Sequence, residues 1–366
     1  MQVLYDYQVF SWQRYGGISR YYFELITRLA QAPEVAVSLF MGLHINRYGL
    51  ERYQSQFRGF FGLEHRLSPL MTKAVRLLNP ALFASFSRRL PVDVYHQTYY
   101  ATPPAPRGGK VILTVYDMTH ERFPECFPSH DLTRRRKRQA VERADGIICI
   151  SESSKRDLLE ILDVPEEKIS VIHLANSLTL EVTDPRRVTA PYVLFVGQRG
   201  GYKNFLPFAQ AFASRPSLPR NFKLICFGGG AFTREETETL RELGILDKAK
   251  VLEGPDTLLA NLYQYASAFV YPSLYEGFGF PPLEAMRYGC PVLVSRSSSI
   301  PEVVGDAGYY FDPRNPEDMA EQLVSLLDDE PLRNELAARG RQREQRFSWE
   351  QCAEETQRFY RQILNR

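Results

Sequence analysis

The sequence has few of the features that mark membrane, secreted or metal-binding proteins. No run of eighteen or more apolar residues occurs in its 366 residues, so we expect no membrane-spanning helix. The first residues lack the pattern of a secretory signal and read as a buried strand. We therefore expect a cytoplasmic protein. Its five cysteines are scattered, form no Cys-x2-Cys pair and are expected to be reduced: Cys126, Cys149, Cys226, Cys290 and Cys352.

A large excess of charge of one sign is also absent. The chain carries 45 Lys and Arg against 43 Asp and Glu, a net charge of +2, so nucleic acid is not an expected partner. The surplus of positive charge is confined to the first half. Residues 1–190 hold 25 basic and 20 acidic side chains, and the remainder holds 20 and 23.

Two segments contribute to this basic character. Residues 44–90 contain eight Lys and Arg but only two acids, interleaved with Phe and Leu. Such a surface can lie on an anionic membrane; alternatively, its arginines are solvated and its aromatic residues belong to the core. Residues 134–138, Arg-Arg-Arg-Lys-Arg, begin a predicted helix, which is either a solvated face or a contact for a polyphosphate lipid. One interpretation is thus peripheral contact with the cytoplasmic face of the inner membrane.

Predicted strands and helices alternate through both halves of the chain. Short apolar runs, each followed by a loop and an amphipathic helix, are typical of buried parallel strands. The alternation predicts an α/β protein with two doubly wound, Rossmann-like domains that face a central cleft. A Pro-containing segment at residues 181–191 reads as the linker. We place the domains at residues 1–185 and 190–345, with a C-terminal helix at 346–366 that packs back on the first.

The most informative stretch is Tyr271–Gly289, which begins where a buried strand should end. Its loop carries Glu276 and the triplet Gly277-Phe278-Gly279, and the two prolines that follow suit the first turn of a helix. The pattern places Glu284 in that first turn. A helix N-terminus with free amides attracts phosphate, and two carboxylates beside it could hold a polyol. The combination predicts a site for a phosphorylated sugar.

Two loops of the first half are further site candidates. Gly16 and Gly17 separate the first strand from a helix that begins at Ile18; the pair suits an anion cradle, and a tight turn is the alternative. Asp117 and His120 follow a central strand, and the carboxyl ends of parallel strands are where such sheets place their sites. We expect both to be catalytic, although a histidine that caps local backbone groups is the alternative for His120.

The first loop of the second half carries two cations four residues apart. Arg199 and Lys203 follow a buried strand within Gln-Arg-Gly-Gly-Tyr-Lys. A guanidinium fork and an ammonium point charge can together neutralise a diphosphate, and solvated surface cations are the alternative. We expect both residues to bind phosphate.

The stretch around Glu276 and Glu284 also carries a resemblance. The Glu-x7-Glu pattern within Ser-Leu-Tyr-Glu-Gly-Phe-Gly-Phe-Pro-Pro-Leu-Glu-Ala-Met, followed by Gly-Cys-Pro-Val, resembles the signature of family 4 of the retaining glycosyltransferases. These are GT-B enzymes that use nucleotide sugars. The resemblance implies that Glu284 holds the ribose hydroxyls and that Glu276 orients the sugar. It also places His120 near the transferred sugar and implies donor contacts at Gly16, Gly17, Arg199, Lys203, Gly277, Phe278, Gly279 and Leu283.

The resemblance further implies retaining transfer of a hexose from a nucleotide diphosphate sugar, without a metal or a covalent nucleophile. Phrases such as Tyr-Gly-Gly-Ile-Ser-Arg-Tyr are similar to bacterial polysaccharide and O-antigen transferases, which favours a GDP-mannose-like donor over a UDP-sugar. The implied acceptor is a glycan or a polyprenyl-diphosphate-linked oligosaccharide in lipopolysaccharide synthesis. The resemblance implies that the domain at residues 1–185 binds this acceptor and that the domain at 190–345 binds the nucleotide sugar. The alternatives are a nucleotide-sugar epimerase or phosphorylase on the same fold, which should lack the Glu-x7-Glu block, and an inactive scaffold, which should have lost Glu276, Arg199 or Lys203.

Overall fold

The chain divides into two α/β units. The first unit comprises Met1–Leu174 together with Trp349–Arg366, and the second comprises Ala175–Ser348. The segment expected as a linker, residues 181–191, thus lies inside the second unit. No helix in the part of the chain that is described is long and apolar enough to cross a membrane. The structure, a computed structural model, describes residues 1–66, 77–101, 103, 106 and 108–366.

The first unit is built on a parallel sheet of seven strands. Their order is β3-β2-β1-β4-β5-β6-β7, so the chain adds strands on one side of β1 and then crosses to the other side at β4. Strands β4 and β6 are buried along their whole length, as expected for parallel strands covered on both faces. The strands are β1 Gln2–Tyr5, β2 Ala36–His44, β3 Gly59–Glu64, β4 Val94–Gln97, β5 Lys110–Val115, β6 Gly146–Cys149 and β7 Ile169–Val171.

The second unit repeats this plan with six parallel strands. Their order is β10-β9-β8-β11-β12-β13, and the direction of winding reverses between β8 and β11. Side chains on the two faces of the sheet form two separate apolar cores. The strands are β8 Tyr192–Val196, β9 Lys223–Phe227, β10 Ala249–Leu252, β11 Ala268–Tyr271, β12 Val292–Ser295 and β13 Gly308–Phe311.

Helices connect successive strands in both units. Several begin at the polar caps that sequence rules favour; for example, the Ser151 hydroxyl accepts a hydrogen bond from the Ser154 amide. In the first unit they are α1 Gly17–Gln31, α2 Asn79–Ser87, α3 Thr119–Arg122, α4 Thr133–Arg143, α5 Glu152–Ile161 and α14 Trp349–Leu364. In the second unit they are α6 Phe205–Ser214, α7 Ser217–Asn221, α8 Arg234–Glu242, α9 Asp256–Tyr265, α10 Phe280–Arg287, α11 Ile300–Val304, α12 Pro316–Asp328 and α13 Glu330–Glu344.

The C-terminal helix α14 packs on the sheet of the first unit. Gly146 in β6 permits the close approach, because a Cβ atom there would lie 2.8 Å from Cγ1 of Ile363. The Tyr360 hydroxyl lies 2.9 Å from the Tyr5 hydroxyl and is hydrogen-bonded to Nδ1 of His96. These buried contacts join the last helix to β1 and β4.

The basic segment at residues 44–90 contributes partly to the core and partly to the surface. In its described part it forms a short 3-10 helix, the edge strand β3 and α2. Phe57 and Phe83 are buried, whereas Leu63 and Leu77 are exposed. Residues 67–76 lie outside the described residues. Contact of this surface with a membrane stays a prediction.

Candidate active site

The loop after β11 holds Glu276 by its main chain. The Glu276 N–H donates to Oγ of Ser298 at 2.8 Å, and the Glu276 carbonyl accepts from the Ser299 hydroxyl at 2.8 Å. The Ser299 hydroxyl also lies 2.9 Å from the Phe278 carbonyl. The turn that follows β12 therefore fixes the backbone on both sides of this carboxylate.

Two residues near this loop have a left-handed backbone conformation, which is rare for residues other than glycine. Ser298 has φ of +46° and Asn204 has φ of +59°, and no other non-glycine residue of the described chain has positive φ. A left-handed conformation costs an L-residue about 1–2 kcal/mol. Each side chain binds backbone of the segment after β11, since Ser298 accepts from the Glu276 amide while the Asn204 side-chain amide donates to the Pro272 carbonyl at 3.1 Å. Strain is thus concentrated around Glu276, as it often is at functional sites.

Lys203 pairs with Glu276 at this point. Its Nζ lies 2.7 Å from Oε1 of Glu276, and the two side chains are 19% and 12% exposed. The ammonium also lies 5.1 Å from the ring centre of Tyr202 and 5.9 Å from that of Tyr271. Burial raises the pKa of Tyr271, and the negative charge of Glu276 raises it further. The structure therefore brings one cation and one carboxylate together after the adjacent strands β8 and β11.

Helix α10 begins one residue earlier than the pattern suggested. It starts at Phe280, so Glu284 is its fifth residue and not part of its first turn, which corrects the sequence-based placement. The Glu284 carboxylate accepts a hydrogen bond from the buried Tyr263 hydroxyl at 3.0 Å. Gly279 precedes the helix with φ of +116°, a conformation that requires glycine.

The start of α10 offers fewer amide donors than an ordinary helix. Pro281 and Pro282 have no N–H, and the Leu283 amide already donates to the Gly279 carbonyl at 3.5 Å. The side chains of Phe278 and Leu283 are buried inside the second unit. Of the expected donor contacts here, Gly277, Phe278 and Gly279 can contribute backbone only, and Leu283 presents no side chain to solvent.

The Arg199 side chain donates to groups of the second unit itself, and its contact with phosphate stays a prediction. Its side chain is 2% exposed, and its Nε donates to Oε1 of Glu236 at 3.0 Å. Its terminal nitrogens donate to the carbonyls of Gly228, Gly230 and Ala231 at 2.8–2.9 Å. The guanidinium therefore binds the loop after β9 and a buried carboxylate, and the structure does not bring it together with Lys203 and Glu276.

Gly16 and Gly17 mark the start of α1 in the first unit. Gly16 is the N-cap and Gly17 is the first helical residue. A Cβ atom at Gly16 would lie 2.7 Å from Cδ of Gln13, whose Oε1 accepts a hydrogen bond from the Ser19 amide at 2.9 Å. The Gly16 amide donates to the Tyr48 hydroxyl at 3.3 Å. A side chain at position 16 would therefore displace the Gln13 side chain that binds the Ser19 amide.

Asp117 and His120 share the loop after β5. Oδ1 of Asp117 accepts from the Thr119 amide at 2.9 Å, which caps the short helix α3. The His120 ring stacks on Phe127 with ring centres 3.8 Å apart, and its Nε2 lies 4.0 Å from Asp131. Burial lowers the pKa of His120, and the charge of Lys137 lowers it further, which favours the neutral form of the imidazole.

Lys137 departs from the expected solvated face of the basic helix. Its neighbours Arg134, Arg135, Arg136 and Arg138 are exposed, but its own side chain is 1% exposed. The Lys137 Nζ lies 2.7 Å from Oε2 of Glu121 and donates to the Asp117 carbonyl at 2.8 Å. Lys137 therefore fixes the loop that carries Asp117 and His120.

Comparison with known proteins places this geometry in a family. Residues 15–175 match the family described as "Glycosyltransferase Family 4", and residues 182–343 match "Glycosyl transferases group 1". An O-antigen chain mannosyltransferase B of Escherichia coli is 31% identical over 94% of this chain and 96% of its own length. The chain belongs to the group 1 and family 4 glycosyltransferases.

Solved structures agree with this glycosyltransferase fold. A sucrose-phosphate synthase from Thermosynechococcus elongatus has 20% identity and a TM-score of 0.76, covering 100% of this chain and 99% of its own. The HepE protein of Anabaena, solved in complex with UDP-glucose, has 16% identity and a TM-score of 0.72, covering 97% and 98%. These likenesses confirm the predicted GT-B fold with two Rossmann-like domains.

Sequence reasoning missed several residues that hold the candidate side chains in each unit. In the second unit, Tyr263 contacts Glu284 and Glu236 contacts Arg199; in the first, Lys137 fixes the loop of Asp117. Their partners are distant in sequence, so no local pattern pointed to them. Ser298 and Ser299 lie in the serine run that follows β12, and the position of that run after a buried strand was a usable signal.

Proposed function

We propose that the protein is a retaining hexosyltransferase that moves a sugar from a nucleotide diphosphate sugar to a glycan or a lipid-linked oligosaccharide in surface polysaccharide synthesis. The observation that carries the proposal is the paired Lys203 and Glu276 on a backbone fixed by Ser298 and Ser299. A GDP-mannose-like donor is favoured by the similarity to the O-antigen mannosyltransferase. A UDP-sugar is the rival, since the similarly folded HepE was solved with UDP-glucose.

In this proposal the charges of the site act on the departing diphosphate. The Lys203 ammonium neutralises the leaving group, and the loop amides from Gly277 to Phe280 donate to its oxygens. Glu276 orients the sugar and supports the positive charge that develops at its anomeric carbon. Because Lys203 lies 2.7 Å from Glu276, one cation serves both the leaving group and the carboxylate. The acceptor hydroxyl attacks the anomeric carbon from the face that the leaving group vacates. The bond from that carbon to the diphosphate breaks, the departing phosphate takes the proton of the hydroxyl, and no metal is needed.

The remaining candidates have supporting roles in the proposal. Glu284 accepts hydrogen bonds from the ribose hydroxyls, and the Tyr263 hydroxyl holds it in place. Gly16 and Gly17 bring backbone close to the donor. The His120 ring and Asp117 contact the transferred sugar. A neutral imidazole suits this role, since it can donate or accept a hydrogen bond with a sugar hydroxyl. Peripheral membrane contact through residues 44–90 and 134–138, at the cytoplasmic face, would suit a lipid-linked acceptor.

A thermal-shift screen tests the donor assignment. The wild type, Glu284→Ala and the surface control Glu238→Ala are melted with GDP, UDP, ADP and their common sugar conjugates. A ligand at about a hundred times its Kd stabilises the protein by about 2.7 kcal/mol. We expect one base to raise the melting temperature of the wild type and the control, with loss in Glu284→Ala. The absence of any shift would contradict the proposal, and an inverted anomeric configuration in the product, measured by NMR, would refute retention.

A further inference from the structure

A short segment at the end of α13 leads the chain out of the second unit. Helix α13 ends at Glu344, the second unit ends at Ser348, and Trp349 begins α14 in the first unit. We call residues 343–348 the exit segment. The proposed function gives this segment no role. Two of its side chains nevertheless contact the elements that hold the loop of Glu276, which we call the donor loop, residues 275–279.

Phe347 of the exit segment packs directly on the donor loop. Its ring centre lies 5.8 Å from that of Phe278, and the two planes meet at 84°. This edge-to-face arrangement is a favourable one for aromatic pairs. Phe278 is 3% exposed, and its ring also meets the ring of Phe280 at 5.7 Å and 65°. Phe278 therefore contacts both the exit segment and the first residue of α10.

Arg343 joins the exit segment to the short helix α11. Its Nε donates to the Val303 carbonyl at 2.9 Å, and its Nη2 donates to the Glu302 carbonyl at 2.5 Å. The Arg343 Cζ also lies 5.3 Å from the ring centre of Phe347, a cation–π contact. One guanidinium thus binds the last turn of α11 and the aromatic ring that packs on the donor loop.

Ser299 closes this set of contacts at the other end of α11. It directly precedes the helix, and its hydroxyl lies 2.8 Å from the Glu276 carbonyl and 2.9 Å from the Phe278 carbonyl. The exit segment therefore reaches the donor loop by two routes. One is the ring of Phe347, and the other runs from Arg343 through α11 to Ser299. All of these contacts lie within the second unit.

We propose that Phe347 is a positioning residue for the donor loop, so that binding of the donor diphosphate at this loop also orders the exit segment. The inference rests on the proposed function, in which amides of this loop bind the diphosphate. Coupling between two places in a protein is reciprocal, so a change in the exit segment alters donor affinity by the same factor. The diphosphate contacts the loop both in the bound donor and in the transition state. Loss of Phe347 should therefore affect donor binding more than the chemical step.

Kinetics and hydrogen exchange test the proposal together. Phe347→Ala should raise the donor KM about two- to tenfold with a smaller change in kcat, and Phe347→Tyr, which keeps the ring, should restore the KM. Amide exchange is then followed by mass spectrometry with saturating GDP or UDP as separate probes. In the wild type, the nucleotide that binds should slow exchange over residues 273–280 and also over 343–348. In Phe347→Ala it should protect only the first of these segments.

Phe222→Ala is the matched control, because Phe222 is also half-buried in the second unit but packs on the core ahead of β9, at the opposite end of the sheet. It should leave the donor KM and the nucleotide-dependent protection unchanged. An unchanged KM in Phe347→Ala, an equal rise in Phe222→Ala, or protection of 273–280 alone in the wild type would overturn the proposal.

Failure of the proposed function has a different signature. In that case neither nucleotide protects residues 273–280 of the wild type, and the wild type transfers no sugar. The contact itself is then tested without a ligand, since residues 273–280 should exchange faster in Phe347→Ala than in Phe222→Ala. Equal exchange of this loop in the two variants would show that Phe347 does not position it.

Discussion

At the scale of single residues, the two cations that follow β8 have opposite environments. Lys203 is partly exposed and has one acidic partner, Glu276. Arg199 is buried, and its donors are occupied by Glu236 and by backbone carbonyls. A partly exposed ammonium can still bind phosphate, whereas the guanidinium of Arg199 already donates to groups of the protein. The two residues should therefore respond differently to substitution.

Lys203→Met should abolish most transferase activity with little loss of fold. The methionine keeps the length of the side chain but removes the charge that neutralises the diphosphate, and removal of one such group typically costs about 10²–10³ in kcat. The measurement is kcat and KM for the donor, compared with Lys248→Met, which removes a cation from an exposed pair with Asp247. Activity of Lys203→Met close to that of the wild type would show that this charge is not part of the chemistry.

Arg199→Met should instead destabilise the second unit. It leaves Glu236 buried without its cation and releases the loop at Gly228–Gly230, and breaking a buried pair in this way costs about 3–5 kcal/mol. The expected result is a lower thermal midpoint by circular dichroism, partly restored in Arg199→Met/Glu236→Gln, where the uncompensated charge is removed. A variant as stable as the wild type but unable to bind nucleotide would show that Arg199 binds the phosphates of the donor.

At the scale of elements, the turn after β12 acts as a clamp on the loop after β11. Ser295 and Ser297 donate to the Ser273 carbonyl at 2.6 and 3.0 Å, while Ser298 and Ser299 bind Glu276 itself. The clamp connects two adjacent strands through side chains of one turn. Because it binds backbone on both sides of Glu276, it positions the carboxylate without touching the substrate.

Ser298→Gly should lower the activity of the protein, by releasing Glu276, more than it lowers the stability of the fold. Glycine relieves the left-handed strain but increases the entropy of the unfolded chain, so the free energy of unfolding should change by less than about 1 kcal/mol. Loss of the hydrogen bond to the Glu276 amide, about 0.5–1.5 kcal/mol, should lower kcat by up to about tenfold. The donor KM should change less than kcat. Ser297→Ala, which loses its bonds to Ser273 and Ser295 but none to Glu276, is the control. Equal kcat in Ser298→Gly and the wild type would contradict the clamp.

At the scale of the whole molecule, the two ends of the chain meet in the first unit. His96 in β4 is wholly buried, with Nδ1 bonded to Tyr360 of α14 and Nε2 lying 2.8 Å from Oγ1 of Thr114. Burial lowers the pKa of His96 from 6.5 to about 3. The folded protein thus requires a neutral imidazole where the first and last elements of the chain join.

This burial predicts an acid-sensitive first unit. Between pH 6.5 and about 3 the unfolded state binds a proton at His96 that the folded state does not, so stability falls as pH decreases through this range. The loss is about 1.4 kcal/mol per pH unit, or about 2 kcal/mol at pH 5 relative to neutral pH. Both tryptophans lie in the first unit, so urea unfolding followed by their fluorescence at pH 7 and pH 5 reports on it.

His96→Gln is the comparison, because glutamine keeps hydrogen-bonding capacity but does not titrate. The variant should be less stable at pH 7 and lose less stability between pH 7 and pH 5 than the wild type. Other groups, including the buried Asp6, are shared by both proteins and cancel in the difference. An identical pH dependence of the two proteins would show that His96 does not control the acid sensitivity.

Short sequence patterns correctly predicted those parts of the protein whose structure depends on residues that are close together in the chain. Apolar runs and glycine-containing loops predicted the two parallel sheets, and the spacing of Glu276 and Glu284 with its glycines and prolines predicted the loop and helix that carry them. The family followed from the same stretch, and comparison confirmed it. The predicted position of Glu284 within α10 was wrong by one residue, because the helix begins at Phe280, ahead of the two prolines.

The sequence by itself determined the fold class and the family. The alternation of strands with helices, the glycine turns and the Glu-x7-Glu block can each be recognised from residues that are close together in the chain. Only the tertiary structure decided which charged groups are available and which are occupied within the protein. Arg199 and Lys203 are four residues apart and look equivalent in sequence, yet Glu236 and the loop after β9 occupy the first while Glu276 meets the second. Likewise, Lys137 stands within a run of exposed arginines but is buried against Glu121. Pairing and burial depend on residues distant in the chain, and the packed fold alone brings them together.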